Sequence, residues 1–141
     1  MIGIVLAAHG PLPGAFLEST SMILGDVPQV ASISLMPGDS LEGLVDRLRA
    51  AVNEVNTGDG VLLLLDIFGG TPANAAAFLA QQVNDVRAVT GMNLPMLLET
   101  FIARMSTDKL EALAETAFSA GQAGITDIGK AFKKFQQGMS G

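Results

Sequence analysis

The sequence predicts an α/β fold, built as an open, mainly parallel, doubly wound sheet with helices on both faces. Four short runs rich in Val, Ile and Leu carry this prediction, and they lie at residues 4–8, 30–35, 61–65 and 86–89. Runs of this length and character are typical of strands that are buried on both faces. Helical patterns separate the runs, and alternating strands and helices indicate right-handed βαβ units.

The first two helices are predicted from apolar spacing and from the residues that can begin a helix. One covers residues 16–24. The other covers residues 41–55, where apolar side chains recur at helical spacing behind the cap candidates Asp39 and Ser40.

Further elements are predicted beyond the third strand. Thr71 is a good N-cap for a helix, with Pro72 at the first helical position. Residues 93–104 predict another helix, and the helix after it ends at Gly121. Residues 125–128 predict one more short strand, either at the edge of the sheet or exchanged with a neighbouring subunit.

The composition predicts one soluble, intracellular domain over residues 1–141, with residues 130–141 as a tail. Apolar residues make up 49% of the chain and the mean hydropathy is +0.43, which indicates that another subunit covers some apolar surface. The formal net charge of −6 argues against binding to nucleic acid. The absence of cysteine excludes disulfides and thiolate metal sites.

The sequence also shows no signal peptide or membrane span. No cationic stretch precedes the first apolar run, and no apolar run approaches the ~20 residues of a membrane span.

The candidate site lies where the predicted strands end. In an open parallel sheet, ligands bind beyond the carboxyl ends of the strands. The loops that meet there comprise residues 9–10, 36–39, 66–72 and 91–95. Three of these loops lead into helices, whose free N–H groups and positive dipole ends favour an anion.

His9 and Asp66 are the candidate chemical groups in these loops. His9 is the single histidine of the chain, and Asp66 follows four consecutive leucines. A lone histidine beside an apolar strand is usually structural, and the carboxylate of Asp66 could simply brace the following turn. Alternatively, Asp66 accepts a hydrogen bond from one ring nitrogen of His9, which leaves the other nitrogen free to act as a nucleophile.

The Gly69-Gly70 pair has two interpretations as well. The glycines could let backbone amides approach a phosphoryl group, or they could only form a tight turn into the helix. No P-loop, G-x-G-x-x-G or G-x-S-x-G motif occurs, and the carboxylates are too scattered for a metal site. A single imidazole, a carboxylate and anion-binding helix starts together suit reversible phosphorylation of His9.

On these motifs the chain resembles the IIA domain of the mannose family of the bacterial phosphoenolpyruvate-dependent sugar phosphotransferase system. The matching residues are collinear over about residues 1–128: Ala8-His9-Gly10, Met36-Pro37-Gly38-Asp39, Asp66-Ile67-Phe68-Gly69-Gly70-Thr71-Pro72 with Asn74, and Thr90-Gly91-Met92-Asn93-Leu94-Pro95-Met96. The last two blocks together are highly specific for this family.

The resemblance implies a cytoplasmic phosphoryl carrier without a metal or cofactor. His9 would accept a phosphoryl group from the phosphocarrier protein HPr and pass it to a histidine of a IIB component. The sugar would be phosphorylated during import, so the chain would meet the membrane only indirectly, through IIC and IID components. The resemblance also implies a homodimer that exchanges a C-terminal strand, which fits residues 125–128.

The resemblance also assigns site residues. Asp66 would orient His9, and Ala8 stands where many members carry serine. The residues that would bind the phosphoryl group are Gly10, Gly69, Gly70 and Thr71. The residues whose loops would face the partner proteins are Pro37, Phe68, Met92 and Asn93.

Two alternatives stay open at this stage. The chain could be a regulatory binding module of an incomplete phosphotransferase system, in which phosphorylation of His9 reports the nutrient state. It could instead be the related dihydroxyacetone-kinase phosphocarrier, which shares the fold and the histidine. The block Asn93-Leu94-Pro95-Met96 favours the sugar branch.

Overall fold

A single parallel sheet forms the centre of the molecule. A computed structural model of the chain describes residues 1–140, with side chains up to residue 138. The strands are β1 (Gly3–His9), β2 (Val30–Leu35), β3 (Val61–Leu65) and β4 (Val86–Val89). They are all parallel and lie in the order β2-β1-β3-β4. The predicted parallel sheet is therefore confirmed.

Helices cover both faces of this sheet. In chain order, the helices of the described residues are α1 (Leu12–Leu24), α2 (Leu41–Val55), α3 (Thr71–Gln82), α4 (Leu94–Ala103), α5 (Leu110–Ala123) and α6 (Ile128–Ser140), the last of which does not pack on the sheet. Helices α2 and α3 pack on one face, and α1, α4 and α5 pack on the other. The doubly wound arrangement is confirmed.

Alternate residues of the two central strands supply the two cores. Val5, Ala7, Leu63 and Leu65 point towards α2 and α3, whereas Ile4, Leu6, Leu62 and Leu64 point towards α1, α4 and α5. All eight side chains are completely buried. Burial on both faces explains why these strands are continuous apolar runs without alternating polar residues. Each large side chain among them contributes about 1.5–3 kcal/mol to folding.

A buried arginine stabilises the edge of the sheet at which the strands begin, opposite to the edge that carries His9. Arg104 Nη1 donates to the carbonyls of Ile2 and Gln29 at 3.1 Å each, and Nη2 donates to the carbonyl of Pro28. The guanidinium lies 4.9 Å from the centre of the Phe101 ring. Burial lowers the pKa of Arg104 to about 10, so the group stays charged at neutral pH. Arg104 thereby ties the end of α4 to the starts of β1 and β2.

The start of α1 and the end of α5 differ from the predictions. Helix α1 begins at Leu12, four residues earlier than predicted, because Pro13 suits the first turn. Helix α5 continues past Gly121 to Ala123. A Cβ atom on Gly121 would lie 2.7 Å from Met96 Cε, so this glycine permits close packing of α5 on α4 and does not end the helix.

The predicted strand at residues 125–128 is wrong. Residues 125–127 have no regular structure, and the chain continues as α6 through the segment predicted as a tail. Asp127 Oδ1 accepts from the backbone N–H of Lys130 at 3.0 Å, which starts the helix. The apolar residues Ile128, Phe132 and Phe135 recur at helical spacing, a period that a strand cannot use. Exchange of this segment as a strand is therefore not supported.

Candidate active site

His9 lies at the point where the strand order reverses. It is the last residue of β1, and the chain passes from β1 to β2 on one side while β3 pairs on the other. Ligand sites of doubly wound sheets lie at such switch points. The His9 side chain is 48% exposed, whereas the preceding residues of β1 are buried. The imidazole is therefore accessible from solution on a rigid support.

The carboxylate of Asp66 holds the imidazole from the side of β3. Asp66 Oδ2 lies 2.7 Å from His9 Nδ1 and accepts the backbone N–H of His9 at 3.0 Å. Asp66 Oδ1 accepts the backbone N–H of Ile67 at 2.9 Å. An ionised carboxylate can only accept, so Nδ1 carries the proton and Nε2 keeps its lone pair. Nε2 has no hydrogen-bond partner among residues 1–138.

The pKa of Asp66 follows from the same contacts. Burial acts to raise the pKa of this carboxyl, but hydrogen bonds from the ring and backbone of His9 and from the backbone of Ile67 outweigh it, so the pKa lies below the usual value. Asp66 is thus ionised at neutral pH. A depressed pKa also means that these contacts stabilise the fold at neutral pH and lose that effect as the pH falls through the lowered pKa.

The glycines of the β3–α3 loop allow it to approach the imidazole. A Cβ atom on Gly70 would lie only 3.1 Å from His9 Cε1, and Gly69 adopts a φ of +87°. Both features favour glycine, because a side chain would crowd the ring or strain the backbone. Gly10, which follows His9, has a φ of +61°, and its N–H donates to the carbonyl of Leu35 at 2.8 Å. The N–H of Gly10 is therefore already used within the fold.

Thr71 does not cap α3, in contrast to the prediction. The N-cap is Gly70, which offers no side chain, and Thr71 is the first residue of the helix. The helix therefore starts one residue earlier than predicted. Among the described side chains, the hydroxyl of Thr71 makes no hydrogen bond, so it can take a ligand.

The two helices beside His9 begin without a side-chain cap. Neither Pro11 before α1 nor Gly70 before α3 caps its helix, and neither helix has an acidic residue in its first turn. By contrast, Ser40 caps α2 by accepting from Gly43, and Asn93 caps α4 by accepting from Met96. The N–H groups at the starts of α1 and α3 are therefore open to an anion.

The four residues predicted to face partner proteins divide into two pairs. Phe68 is 89% exposed and Pro37 is exposed as well, so both lie on the surface. The side chain of Met92 is only 7% exposed and lies in the core, so a partner-facing role of its loop stays a prediction. Its N–H donates to the carbonyl of Leu65 at 2.9 Å, which draws the loop into the sheet. Asn93 is half-buried, and its amide also donates to the carbonyl of Gly121.

Sequence reasoning missed other exposed apolar residues at this edge. Ile67 is 54% exposed, Met36 is 50% exposed and Leu12 is 39% exposed. Each lies in or next to a loop that ends a strand, outside the buried run. That position is the signal that could have indicated an apolar surface around His9.

Comparison with known proteins decides the family. A sequence model described as "PTS system fructose IIA component", EIIA-man, matches residues 3–118. The chain belongs to the EIIA-man family. The resemblance stated from the motifs is thereby confirmed, and IIA components of this system are phosphotransferases in general.

Individual relatives give the extent of the similarity. The mannose-specific EIIAB component of Escherichia coli K12 is 33% identical over 124 residues, which cover 88% of this IIA chain but only 38% of that protein. The chain thus spans less than half of that relative. The fructose-specific EIIA component of Bacillus subtilis 168 is 35% identical over 74% of this chain and 71% of its own. The crystal structure of a phosphotransferase system EIIA component from Streptococcus agalactiae superposes with a TM-score of 0.86 at 29% identity, covering 92% of this chain and 99% of that one.

Two further properties concern the part of the chain that the structure describes. No helix within residues 1–140 is both long and apolar enough to cross a bilayer. The same residues contain no group of three or more His, Cys, Asp or Glu side chains placed to hold a metal ion.

Proposed function

We propose that this IIA chain carries a phosphoryl group on Nε2 of His9, received from HPr and passed to a IIB component of a sugar transporter. The observation that carries the proposal is the 2.7 Å contact between His9 Nδ1 and Asp66, which keeps the proton on Nδ1 and the lone pair on Nε2. The family of the chain supports the same assignment.

The chemical step is a displacement at phosphorus. The lone pair of His9 Nε2 attacks the phosphorus of a phosphohistidine on the donor, and the donor N–P bond breaks as the new one forms. The electron pair of the broken bond returns to the donor imidazole. The Nδ1 proton stays on His9, where Asp66 offsets the positive charge that develops on the ring. Because one N–P bond replaces another, the transfer is close to thermoneutral and readily reversible.

The surrounding backbone stabilises the transferred group. The phosphoryl oxygens carry the spread negative charge of a loose transition state. The uncapped N-termini of α1 and α3 present N–H groups and positive dipole ends at this position. The hydroxyl of Thr71 adds a donor at the first residue of α3. Catalysis then consists of alignment and electrostatic stabilisation, as is usual for phosphoryl transfer.

The apolar side chains around His9 provide the docking surface. Phe68, Ile67 and Met36 present exposed apolar area beside a nucleophile that must meet two different proteins in turn. Burial of such area on docking excludes water from the transfer. A small set of aromatic and aliphatic anchors suits short-lived complexes with both donor and acceptor.

The direct test is phosphorylation in a reconstituted system. Incubation with labelled phosphoenolpyruvate, enzyme I and HPr is expected to give a label that is labile in acid and stable in base. His9→Ala must abolish the label completely, because the chain has no second histidine. Lys109→Ala, a change at an exposed residue remote from His9, should keep full labelling. Label retained by His9→Ala would contradict the proposal.

The second half of the proposal has its own test. The phosphorylated chain, freed from donor proteins, is mixed with unlabelled HPr or with the IIB part of a mannose-family transporter. Label should move from the chain to either protein, and rapid-quench sampling after mixing measures the rate of that transfer. Stable retention by the chain in the presence of IIB would favour the regulatory module over the carrier.

A further inference from the structure

Helix α6 leaves its large apolar side chains in solvent. Every residue from 128 to 138 is exposed, and Ile128, Phe132 and Phe135 are 72%, 62% and 66% exposed. These three side chains occur at positions i, i+4 and i+7, so they form a single stripe along the helix, here called the α6 stripe. A 13-residue helix is marginal alone in water, and most helices are stabilised by burial of an amphipathic face. Helix α6 therefore requires a surface that covers the stripe.

The other side of α6 is basic. Successive residues of a helix are rotated by about 100°, so Lys130, Lys133 and Lys134 project from the half of α6 opposite to the stripe. None of the three forms an ion pair with a side chain in residues 1–138. Helix α6 contains no acidic residue and carries a formal charge of +3, whereas the five Lys and Arg and fourteen Asp and Glu of residues 1–127 give that body −9. Positive charge is thus concentrated on the helix that carries the stripe.

This combination is typical of a helix that lies in the interface of a lipid bilayer. The apolar face of such a helix enters the boundary between headgroups and acyl chains by about 5–10 Å, and its Lys or Arg residues attract anionic lipids. The aliphatic stems of lysines also cover apolar surface while their ammonium groups stay hydrated. Thirteen residues span about 20 Å, which is too short to cross a hydrocarbon core of about 30 Å. Such a helix can lie along a bilayer but cannot span it.

We propose that α6 binds the surface of an anionic phospholipid bilayer. The α6 stripe enters the boundary between headgroups and acyl chains, and the three lysines stay at the level of the lipid phosphates. The binding is reversible, with a partition coefficient on the order of 10⁴ M⁻¹, as for a single myristoyl chain. The family resemblance brings the chain to the membrane only through other components of the transporter, so this direct contact is additional to it.

Helix α6 leaves the body at the edge of the sheet that carries His9. Helix α4 follows the end of β4, so its start lies at that edge. The end of α5 lies beside this start, because the Asn93 amide donates to the carbonyl of Gly121 at 2.9 Å and a Cβ atom on Gly124 would lie 2.5 Å from Pro95 Cβ. If the proposed function holds, on which this consequence rests, binding of α6 to lipid keeps His9 close to the membrane components of the transporter.

The negative charge of the body does not prevent this contact. Electrostatic repulsion is screened beyond the Debye length, which is about 8 Å at physiological salt. Residues 124–127 and the width of the bound helix, about 10 Å, separate the body from the lipid by a greater distance. Binding should weaken as salt is added, because the attraction of the lysines is screened in the same way.

Other partners use only one side of α6. Pairing of α6 with α6 would cover the stripe but bring two charges of +3 together. A nucleic acid would bind the lysines through its phosphates but leave the stripe in water. An anionic bilayer is the partner that matches both the apolar and the basic side.

Flotation of the full chain with vesicles tests the contact. The native chain should float with vesicles rich in phosphatidylglycerol and remain unbound with vesicles of phosphatidylcholine alone. Each of Lys130→Gln, Lys133→Gln and Lys134→Gln should weaken binding about fivefold, and the triple change about 100-fold. Lys109→Gln, at an exposed lysine of the body, should bind like the native chain. Equal binding to both lipids, or full binding by the triple variant, would overturn the proposal.

An introduced tryptophan reports where the stripe lies, since the chain contains no Trp or Tyr. The emission of the Phe132→Trp chain should shift to shorter wavelength when phosphatidylglycerol vesicles are added. The Phe78→Trp chain, altered at an exposed Phe of α3, should show no shift. Phe132→Ser with Phe135→Ser should abolish flotation, with circular dichroism as a check that the body stays folded. An unshifted Phe132→Trp emission would contradict entry of the stripe into the lipid.

The same reporter detects a protein partner that covers the stripe instead. Without vesicles, the emission of the Phe132→Trp chain should be that of an indole in water at every protein concentration tested. Emission that shifts to shorter wavelength without lipid as the protein is concentrated would place the stripe in a contact between copies. That result would overturn binding to lipid as the role of α6.

Binding to lipid and phosphoryl transfer can be tested separately. His9→Ala should float like the native chain, because His9 lies outside α6. The triple lysine variant should keep full HPr-dependent labelling in solution. Flotation without labelling of the native chain would refute the proposed function alone. Labelling without flotation of the native chain would refute the contact with lipid alone.

Discussion

The helices that follow the two central strands begin differently from those that follow the two edge strands. Helices α2 and α4, after the edge strands β2 and β4, are capped by the side chains of Ser40 and Asn93. Helices α1 and α3, after the central strands β1 and β3, have no side-chain cap. All four helices start at the same edge of one sheet. The difference therefore reflects what each helix start has to do.

The uncapped starts are the ones that flank His9. A side-chain cap contributes about 0.5–2 kcal/mol to stability, and α1 and α3 both lack this contribution. The same N–H groups are then available to phosphoryl oxygens. The comparison teaches that the outer helix starts serve stability, whereas the inner ones serve the anion that the site is proposed to bind.

Among the changes that leave His9 in place, the largest effect is expected from removing the charge beside it. Asp66→Asn keeps the shape of the side chain but can donate its amide N–H to Nδ1, which moves the ring proton to Nε2 and blocks attack. We expect the rate of phosphorylation by phospho-HPr to fall about 100-fold or more. Rapid-quench kinetics measures this rate, with circular dichroism as a check on folding. An unchanged rate would show that the carboxylate only braces the turn.

A second variant adds a carboxylate to the uncapped start of α3 and so tests the role of that helix start. Thr71→Asp places a carboxylate at the first residue of an uncapped helix. Its interaction with the helix dipole should stabilise the helix by about 0.3–1 kcal/mol. The same carboxylate competes with the phosphoryl group, so we expect phosphorylation to slow about 10-fold while Tm rises. Thr71→Asn, which adds no charge, is the matched control and should lose much less. Slower transfer without the rise in Tm would point to damage and not to competition.

A smaller effect is expected from the docking surface. Phe68→Ala removes the most exposed apolar side chain near His9, and we expect KM for phospho-HPr to rise about 5–30-fold, as for the loss of an interface anchor. The value of kcat should stay within about twofold, because Phe68 is not among the groups proposed to hold the imidazole or the phosphoryl group. Phe78→Ala changes an exposed Phe on α3 that lies away from the site. Equal effects of the two changes would contradict a docking role for Phe68.

The smallest effect should be confined to stability. Ser40→Ala removes the hydroxyl that accepts from Gly43 at 3.0 Å and caps α2. We expect a loss of about 1 kcal/mol in the free energy of unfolding, measured by urea denaturation, with an unchanged rate of phosphorylation. Slower phosphoryl transfer in this variant would contradict the conclusion that the capped start of α2 serves stability alone.

The strands and the two candidate side chains, His9 and Asp66, could be predicted because they depend on local patterns. Strands buried on both faces need continuous apolar runs, and β2, β3 and β4 lie where those runs lie. Parallel strands place their carboxyl ends at one edge, so His9 and Asp66 had to be neighbours if β1 and β3 pair. The sequence also indicated the Gly69-Gly70 turn, although it did not indicate which of its roles applies.

Other features could not be predicted because they depend on distant contacts. Met92 is an ordinary loop residue in the sequence, yet the bond from its N–H to Leu65 pulls it into the core. Gly121 has the position of a helix terminator, but the proximity of Met96 gives it a packing role. The segment at residues 125–128 is a different case, because the cap at Asp127 and the helical spacing of Ile128, Phe132 and Phe135 are local signals that the strand prediction overlooked.

By itself, then, the sequence determined a parallel α/β sheet with one imidazole and one carboxylate at its ligand edge, because periodicity and strand ends are local properties. Only the tertiary structure decided which ring nitrogen of His9 carries the proton, which helix starts lack a side-chain cap and which loop residues are buried. Those properties depend on distances of about 3 Å between segments far apart in the chain, and no single stretch of sequence contains them.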